Sequence, residues 1–247
     1  MTNIKIYQAF HKSYLHNPIA DWIQPVAVGS YDNPLFAKDS DGHNISKLNS
    51  YYCELTVLYW AWKNQQSDFV GLYHYRRYLS YLPDNAMNNP AHMTRADETQ
   101  QNVDYLTSQN QKAALMSKLE AYDFVIPRKF TQMPSVGVLY QQLHRPEPWL
   151  AFISALKKTY SAKRVESYFA ATDRTTICNI FVTSRANFEK YCEELFAIVD
   201  EAYRQIGTPF TDWHNRYPGF LAERFLGFWL HTHRMTAAEV PLIHIGE

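Results

Sequence analysis

The chain has 247 residues, of which 46% are apolar and 15% aromatic, so it can bury a sizeable core and is neither disordered nor collagen-like. Its 24 Lys and Arg balance its 24 Asp and Glu, which excludes the long-range positive field that favours nucleic acid as a partner. Its three scattered cysteines are too few for a disulfide framework or a cysteine-based zinc site, and no apolar run is long enough to span a bilayer.

The first half of the chain alternates between strand-like and helix-like patterns. In order, it contains a strand over 4–10, an apolar run over 25–28, a turn-rich loop over 30–50, an amphipathic helix capped by Asn49 or Ser50, and a buried strand over 69–75. Residues 82–110 are polar, and the stretch is too long for a simple connecting loop in a compact domain, so we expect an insertion, a lid or a disordered segment there.

Helices dominate the second half of the chain. We predict helices over 111–120, 136–144, 148–160, 162–170, 187–206 and 217–231, with strands over 123–127, 176–183 and 240–245. Alternating strands and helices favour a single α/β domain over residues 1–247, with a mostly parallel central sheet and helices on both faces.

The most informative local motif is His74-Tyr75-Arg76-Arg77-Tyr78, which ends the buried strand. Ligands of open α/β sheets bind beyond the carboxyl ends of the strands. If the strand geometry persists that far, alternation sends His74 and Arg76 to one face and Arg77 to the other. The planar guanidinium suits paired oxygens and indicates a phosphate or diphosphate ligand, whereas ion pairs with nearby acids are the structural alternative.

The predicted helix over 217–231 carries a second candidate site. Gly219, Glu223 and Gly227 lie at i, i+4 and i+8, on one stripe without bulk beside the carboxylate. Each glycine costs a helix about 1 kcal/mol relative to alanine, so the pair indicates a close approach by a packed backbone or by a ligand. A semi-buried carboxylate reached by a ligand can act as a general base.

Metal and nucleotide-loop motifs have little support. Asp39-Ser40-Asp41 has the spacing of a diphosphate–metal clamp but lies in a turn, and the histidines near the C-terminus, including His244, are expected to be solvated. The chain has neither the dinucleotide fingerprint nor the phosphate-loop motif. The sequence therefore predicts no metal site.

Several segments, taken together, carry a family resemblance. They are Ile6-Tyr7, His11-Lys12-Ser13-Tyr14, Val26-Ala27-Val28-Gly29, Asn44-Ile45-Ser46, residues 49–56, 59–64 and 68–78, Asn179-Ile180-Phe181, residues 191–196 and residues 219–229. The chain resembles, over essentially its whole length, the domain-of-unknown-function 4422 family of bacterial lipopolysaccharide and capsule gene clusters. The segments around Glu54 and His74 are highly specific to that family.

The resemblance implies a glycosyltransferase with a GT-A-like nucleotide-sugar-binding fold. It implies a UDP-sugar donor, with galactose as one candidate hexose, and a glycan or lipid-linked glycan acceptor of a growing lipopolysaccharide, capsule or exopolysaccharide. His74-Tyr75-Arg76 stands where a GT-A enzyme carries Asp-x-Asp, so guanidiniums could neutralise the diphosphate in place of Mn²⁺ or Mg²⁺, whose requirement stays open. A non-catalytic glycan-binding or scaffold protein of a polysaccharide assembly complex is the alternative.

With this family in view, each candidate residue receives an expected role. The nucleotide would contact His11, Tyr14 and Gly29. The ribose or the donor sugar would contact Asn49, Tyr52 and Glu54. The diphosphate would contact Arg76 and Arg77, beside His74. Glu223 is the candidate base or acceptor-orienting carboxylate, and Asp212 is the second choice. Acceptor specificity is expected in residues 82–110 or 135–144. The protein is expected in the cytoplasm, with at most peripheral association at the inner face of the membrane.

Overall fold

The structure is a computed structural model that describes residues 3–82 and 93–246. Its strands are β1 Ile4–Phe10, β2 Ile23–Ala27, β3 Ala37–Lys38, β4 Phe69–His74, β5 Arg77–Leu79, β6 Met93–Ala96, β7 Phe124–Pro127, β8 Phe130–Thr131, β9 Arg174–Thr175, β10 Phe181–Ser184, β11 Ala237–Val240 and β12 Leu242–Ile245. Its α-helices are α1 Asn49–Tyr52, α2 Leu55–Asn64, α3 Gln100–Leu106, α4 Gln109–Ala121, α5 Val136–Leu143, α6 Pro146–Thr159, α7 Ala162–Ala171, α8 Arg185–Ile206 and α9 Tyr217–His233. Two 3-10 helices cover Ser46–Leu48 and Trp213–Arg216.

A central sheet organises the described residues. Its main path runs β11-β7-β10-β4-β1-β2-β3, and β5, β6 and β12 extend it at one side. Strand β1 pairs in parallel with both β2 and β4, whereas β10 lies antiparallel between β4 and β7. The prediction of an α/β fold with a mostly parallel central sheet and surrounding helices is confirmed. Because β1 and β4 run in the same direction, their carboxyl ends meet at one edge of the sheet.

Both faces of the sheet are buried. Along β1, Tyr7 and Ala9 face one apolar cluster, which includes much of α2, α6, α8 and α9, while Ile4 and Ile6 face a second cluster that includes residues of α4 and β12. This alternation follows from the two-residue period of a strand. Each fully buried aliphatic or aromatic side chain contributes about 1.5–3 kcal/mol, so the two clusters hold the strand ends in place.

Three predicted elements differ from the structure. The predicted helix from Asn49 breaks at Cys53, which has a positive φ of 53°, and resumes as α2. The predicted strand over 176–183 is wrong in its first part: residues 176–180 form a loop between β9 and β10. The predicted last strand divides into β11 and β12 at Pro241, a residue that cannot donate a ladder hydrogen bond.

The predicted insertion over 82–110 falls partly outside the described residues, which resume at residue 93. From there β6 pairs in parallel with β12, and α3 begins at Gln100 after a cap in which the Thr99 hydroxyl accepts from the Asn102 N–H. A lid role for this stretch stays a prediction. Within the described ranges, every helix is too short or too polar to cross a membrane.

The two glycines of α9 have different surroundings. A Cβ at Gly227 would collide with Thr175 Oγ1, so the predicted close approach is made by the β9 segment. A Cβ at Gly219 would lie 3.5 Å from Cys53 Sγ, an ordinary contact. Packing therefore explains Gly227 but does not require Gly219.

Candidate functional site

Two adjoining cavities open at the carboxyl ends of β1 and β4, with volumes of about 280 Å³ and about 410 Å³. Five residues line both of them: His11, Cys53, Glu54, His74 and Arg216. The smaller cavity extends to Ala9, Val28, Asn49 and Ser50, and the larger to Tyr75, Arg76, Arg77, Gly219, Phe220 and Glu223. We call the two cavities together the cleft.

The predicted arginine motif lies in the cleft. Strand β4 ends at His74, the chain turns at Tyr75 and Arg76, and Arg77 pairs back with His74 at the start of β5. The predicted alternation of faces therefore stops at His74, and both half-buried arginines line the same cavity. Within the described part of the chain, no carboxylate lies within 4.0 Å of the Arg77 guanidinium. An anion entering the cleft can meet both guanidiniums.

Two carboxylates line the same cavity as the arginines and are held by neighbouring residues of one loop. Glu54 Oε1 accepts a hydrogen bond of 2.8 Å from Asn179 Nδ2, and Glu223 Oε1 accepts one of 3.1 Å from the Cys178 N–H. The second oxygen of Glu223 accepts from Arg224 Nη1 at 2.6 Å. The loop between β9 and β10 thus sets the positions of both carboxylates.

Backbone strain concentrates around these carboxylates. In the described ranges, four non-glycine residues have positive φ: Cys53, Cys178, Asn179 and Arg234. Cys53 lines the cleft, and Cys178 and Asn179 bind its carboxylates. Such conformations cost about 1–3 kcal/mol each, and in proteins they cluster at active sites and ligand-binding sites. The strain supports the assignment of the cleft as a functional site.

Burial, more than any neighbouring charge, sets the ionisation of His74 and Glu54 in the cleft. Burial lowers the pKa of His74 to about 3, with further lowering by Arg77, His11, Arg216 and Arg76. Burial likewise raises the pKa of Glu54, and the Glu223 carboxylate raises it further. His74 is therefore a neutral imidazole at neutral pH, and the positive charge of the cleft comes from guanidinium groups.

We expect His74 to make the protein less stable in acid. In the unfolded chain the ring takes up a proton near the ordinary histidine pKa of 6.5, but in the folded protein it does so only near 3. The neutral His74 ring therefore contributes its full share to the free energy of unfolding above pH 6.5, and that share is lost as the pH falls toward 3. Between about pH 7 and about pH 5 the loss amounts to about 2 kcal/mol. The His74→Gln protein should therefore lose about 2 kcal/mol less free energy of unfolding than the wild type between pH 7 and pH 5, measured by denaturant titration at each pH. His43→Gln, at an exposed position, is the control and should leave the decline unchanged, and an H74Q protein with the same acid sensitivity as wild type would contradict the prediction.

The surroundings of Cys53 disfavour the thiolate form of its side chain. Burial and the neighbouring Glu54 raise the pKa of its thiol to about 12, although Arg216 Nε donates to its Sγ at 3.0 Å. A thiol is a nucleophile only as the thiolate. The contact instead ties Arg216 to the wall of the cleft.

The nucleotide candidates of the sequence have mixed placements. His11 lines the cleft directly, and Asn49 lines it while donating to the Cys53 carbonyl at 3.0 Å. Tyr14 does not line it, but its ring packs edge-on against Tyr75 at 5.0 Å and its hydroxyl hydrogen-bonds Arg76. Gly29 follows Val28, which lines the smaller cavity, and has a φ of 62° that favours glycine.

Other predicted residues lie away from the cleft. The Tyr52 hydroxyl is buried and donates to Asp200 at 2.7 Å. Asp212 caps the second 3-10 helix by accepting from the His214 N–H at 2.9 Å. Neither residue is among those that line the two cavities.

The metal candidates have structural partners. Asp39 is 1% exposed and accepts from Thr56 Oγ1 at 2.6 Å, outside the cleft. Among residues 3–82 and 93–246, no three His, Cys, Asp or Glu side chains lie close enough together to hold a metal ion. The prediction that His244 is solvated is wrong, because it is 7% exposed in β12 between β5 and β6.

The sequence interpretation missed Arg216, Cys178 and Asn179. Arg216 directly precedes α9 and has no motif of its own. Cys178 and Asn179 lie in an apolar segment that was predicted as strand, so their loop geometry had no local signal. Asn179 did belong to one of the family-like segments, which was the one sign of its importance.

An aromatic cluster extends from the cleft toward solvent. Phe220, which lines the cleft, stacks on His144 at 4.7 Å and contacts Trp213 at 5.4 Å. Trp213 is 52% exposed and stacks on His214 at 4.2 Å. Exposed rings with polar edges suit the flat, hydroxyl-rimmed faces of sugars.

Comparison with known protein families identifies the family of the chain. A family model described as a domain of unknown function, DUF4422, matches residues 5–234. The chain belongs to the DUF4422 family. The matched region contains every residue that lines the cleft, so this DUF4422 domain carries the whole candidate site. No curated protein matches it at a significant level.

A solved structure is similar to the DUF4422 domain over its full length. The apo structure of WbbM, a bifunctional glycosyltransferase, matches 100% of the chain with a TM-score of 0.88 and 24% sequence identity. The domain spans 46% of the WbbM chain, or about half its length. The two proteins therefore share a fold.

Proposed function

We propose that this DUF4422 protein is a glycosyltransferase that moves a sugar from a nucleotide-sugar donor to a glycan acceptor. The observation that carries the proposal is the pair Arg76 and Arg77, which line one cavity together with a neutral histidine and two carboxylates. Guanidiniums aimed at a diphosphate stabilise the charge that develops as it leaves. The shared fold with a glycosyltransferase supports the same conclusion.

The donor would lie along the edge of the sheet. The smaller cavity, between the ends of β1 and β2, would take the nucleoside beside His11 and Asn49. The diphosphate would then reach the arginines in the larger cavity, and the sugar would lie between them and the carboxylates. We propose a UDP-linked hexose as donor, with galactose as one candidate.

The transfer itself needs one proton acceptor and one stabilised leaving group. Glu223 is half-buried and lines the larger cavity. Its carboxylate would take the proton of the acceptor hydroxyl while the oxygen of that hydroxyl bonds to the anomeric carbon of the donor sugar. The bond from that carbon to the diphosphate oxygen breaks, and the diphosphate departs with the electron pair toward Arg76 and Arg77. The guanidiniums supply positive charge that other enzymes draw from Mn²⁺ or Mg²⁺.

The acceptor would approach over the aromatic cluster. Phe220 joins that cluster to the cleft beside Glu223, so a sugar stacked there would present its hydroxyl to the carboxylate. A glycan or lipid-linked glycan of a lipopolysaccharide, capsule or exopolysaccharide fits this arrangement, and His144 lies in the stretch expected to set acceptor specificity.

The test is a screen of the purified protein against sugar nucleotides, with and without manganese, that measures released UDP. We also expect UDP at a hundredfold excess over its dissociation constant to stabilise the protein by about 2.7 kcal/mol, measured as a thermal shift. CDP and GDP are the matched ligands that share the diphosphate and differ in the base. A scaffold protein would show no shift with any of the three, and that result together with no released nucleotide would overturn the proposal.

A further inference from the structure

A separate cavity of about 680 Å³ opens near the C-terminal end of α9, next to α7, β7 and β9. Its lining includes four cationic side chains, Lys129, Arg164, Arg174 and Arg234, together with Thr175 and Thr176. We call it the basic cavity. None of the described residues that line it is Asp or Glu.

Most of its cations lack acidic partners. Lys129 Nζ lies 3.2 Å from Glu239 Oε1. In contrast, no carboxylate of the described residues lies within 4.0 Å of the guanidinium of Arg164, Arg174 or Arg234. All three arginines are exposed, so their guanidiniums are open to an anion that enters the cavity.

Unsatisfied hydroxyls line the same cavity. Thr176 is fully buried, at 0% exposure, and its Oγ1 has no hydrogen-bond partner among the described residues. Thr232 Oγ1 is also a buried atom without a partner there. Buried polar groups in folded proteins are nearly always paired, so an unpaired group indicates a missing ligand or water.

We propose that the basic cavity binds a phosphate or diphosphate group, through the guanidiniums of Arg174 and Arg234 and the Thr176 hydroxyl. Planar guanidiniums match the paired oxygens of phosphates, and a volume of about 680 Å³ has room for a diphosphate with an attached group. The proposal does not depend on what the cleft binds.

The location links the basic cavity to the cleft. Gly227, which lines the basic cavity, lies one helical turn beyond Glu223 on the same face of α9. Thr176 precedes by two residues Cys178, whose N–H binds Glu223. A phosphate group in the basic cavity would therefore contact the segment that positions the Glu223 carboxylate. That group could belong to a bound ester or to a free diphosphate.

The test uses inorganic pyrophosphate and isothermal titration calorimetry on an Arg76→Ala, Arg77→Ala protein, in which two of the three arginines that line the cleft are removed. We expect binding that weakens at least about tenfold when Arg174→Ala and Arg234→Ala are added. Thr176→Val should weaken it by a smaller factor without lowering the melting temperature, since the hydroxyl has no hydrogen-bond partner among residues 3–82 and 93–246. Arg204→Ala, at an exposed arginine paired with Glu201 on α8, is the control and should change nothing.

Two outcomes would overturn the proposal: no pyrophosphate binding by the Arg76→Ala, Arg77→Ala protein, or binding that the Arg174 and Arg234 replacements leave unchanged. Binding of a P1-alkyl diphosphate distinguishes the two sources of the phosphate group, a diphosphate ester and free diphosphate. Tighter binding than that of pyrophosphate identifies a larger diphosphate ester, and equal or weaker binding identifies free diphosphate. UDP binding by an Arg174→Ala, Arg234→Ala protein reports on the cleft alone, so the two proposals fail or stand independently.

Discussion

Replacing Arg76 and Arg77 together with alanine is expected to lower donor turnover by about 10²- to 10⁴-fold, because each hydrogen bond to a charged group contributes about 1.5–3 kcal/mol. Both side chains line the cleft and are half-buried, so the apolar clusters stay intact and the melting temperature should change little. Released UDP, measured at donor concentrations below saturation, reports the loss.

The arginine variants also have a readout that is independent of turnover. Arg77 and Arg76 are among the groups that lower the pKa of His74, so their removal should raise that pKa, which NMR titration of the ring measures. Replacing both with lysine keeps the charge but loses the planar fork, and an intermediate rate is expected. Wild-type transfer by the double alanine variant would remove the diphosphate role from this motif.

Replacing Glu223 with glutamine is expected to lower kcat by about 10²- to 10⁴-fold, the usual contribution of a positioned general base. UDP affinity should stay at the wild-type level, because the proposed arrangement places the carboxylate against the acceptor rather than the diphosphate. Glutamine keeps the size of the side chain but has one acceptor oxygen, so it can accept from the Cys178 N–H or from Arg224 Nη1 but not from both. Arg224 Nη1 keeps its hydrogen bond of 3.1 Å to the Phe220 carbonyl in either case.

Asp212→Asn is the matched control for Glu223→Gln. Asp212 was the second choice from the sequence, but the structure uses it as a helix cap outside the cleft, so its variant should keep most of the activity. Near-wild-type kcat in E223Q, or an equal loss in D212N, would contradict the assignment of Glu223 as the base.

The expectations that depended on local pattern agree well with the structure. The strand over 4–10 matches β1, and the helix over 187–206 lies within α8, because apolar spacing follows directly from the periods of strand and helix. The position of the arginines at a strand end was also readable, since a buried apolar run stops abruptly at His74. These features are encoded within a few neighbouring residues.

The choice among candidate side chains needed the tertiary structure. Asn179 and Glu54 are 125 residues apart in the chain, and Cys178 and Glu223 are 45 apart, yet both pairs meet in the cleft. Nothing local distinguishes Tyr52, whose hydroxyl is buried on Asp200, from Glu54 two residues later, which faces the cleft. Composition and periodicity determined which segments form the sheet, its helices and its cationic edge. Packing between distant segments decided which carboxylates face that edge, because it sets the direction of each side chain only after the layers have assembled.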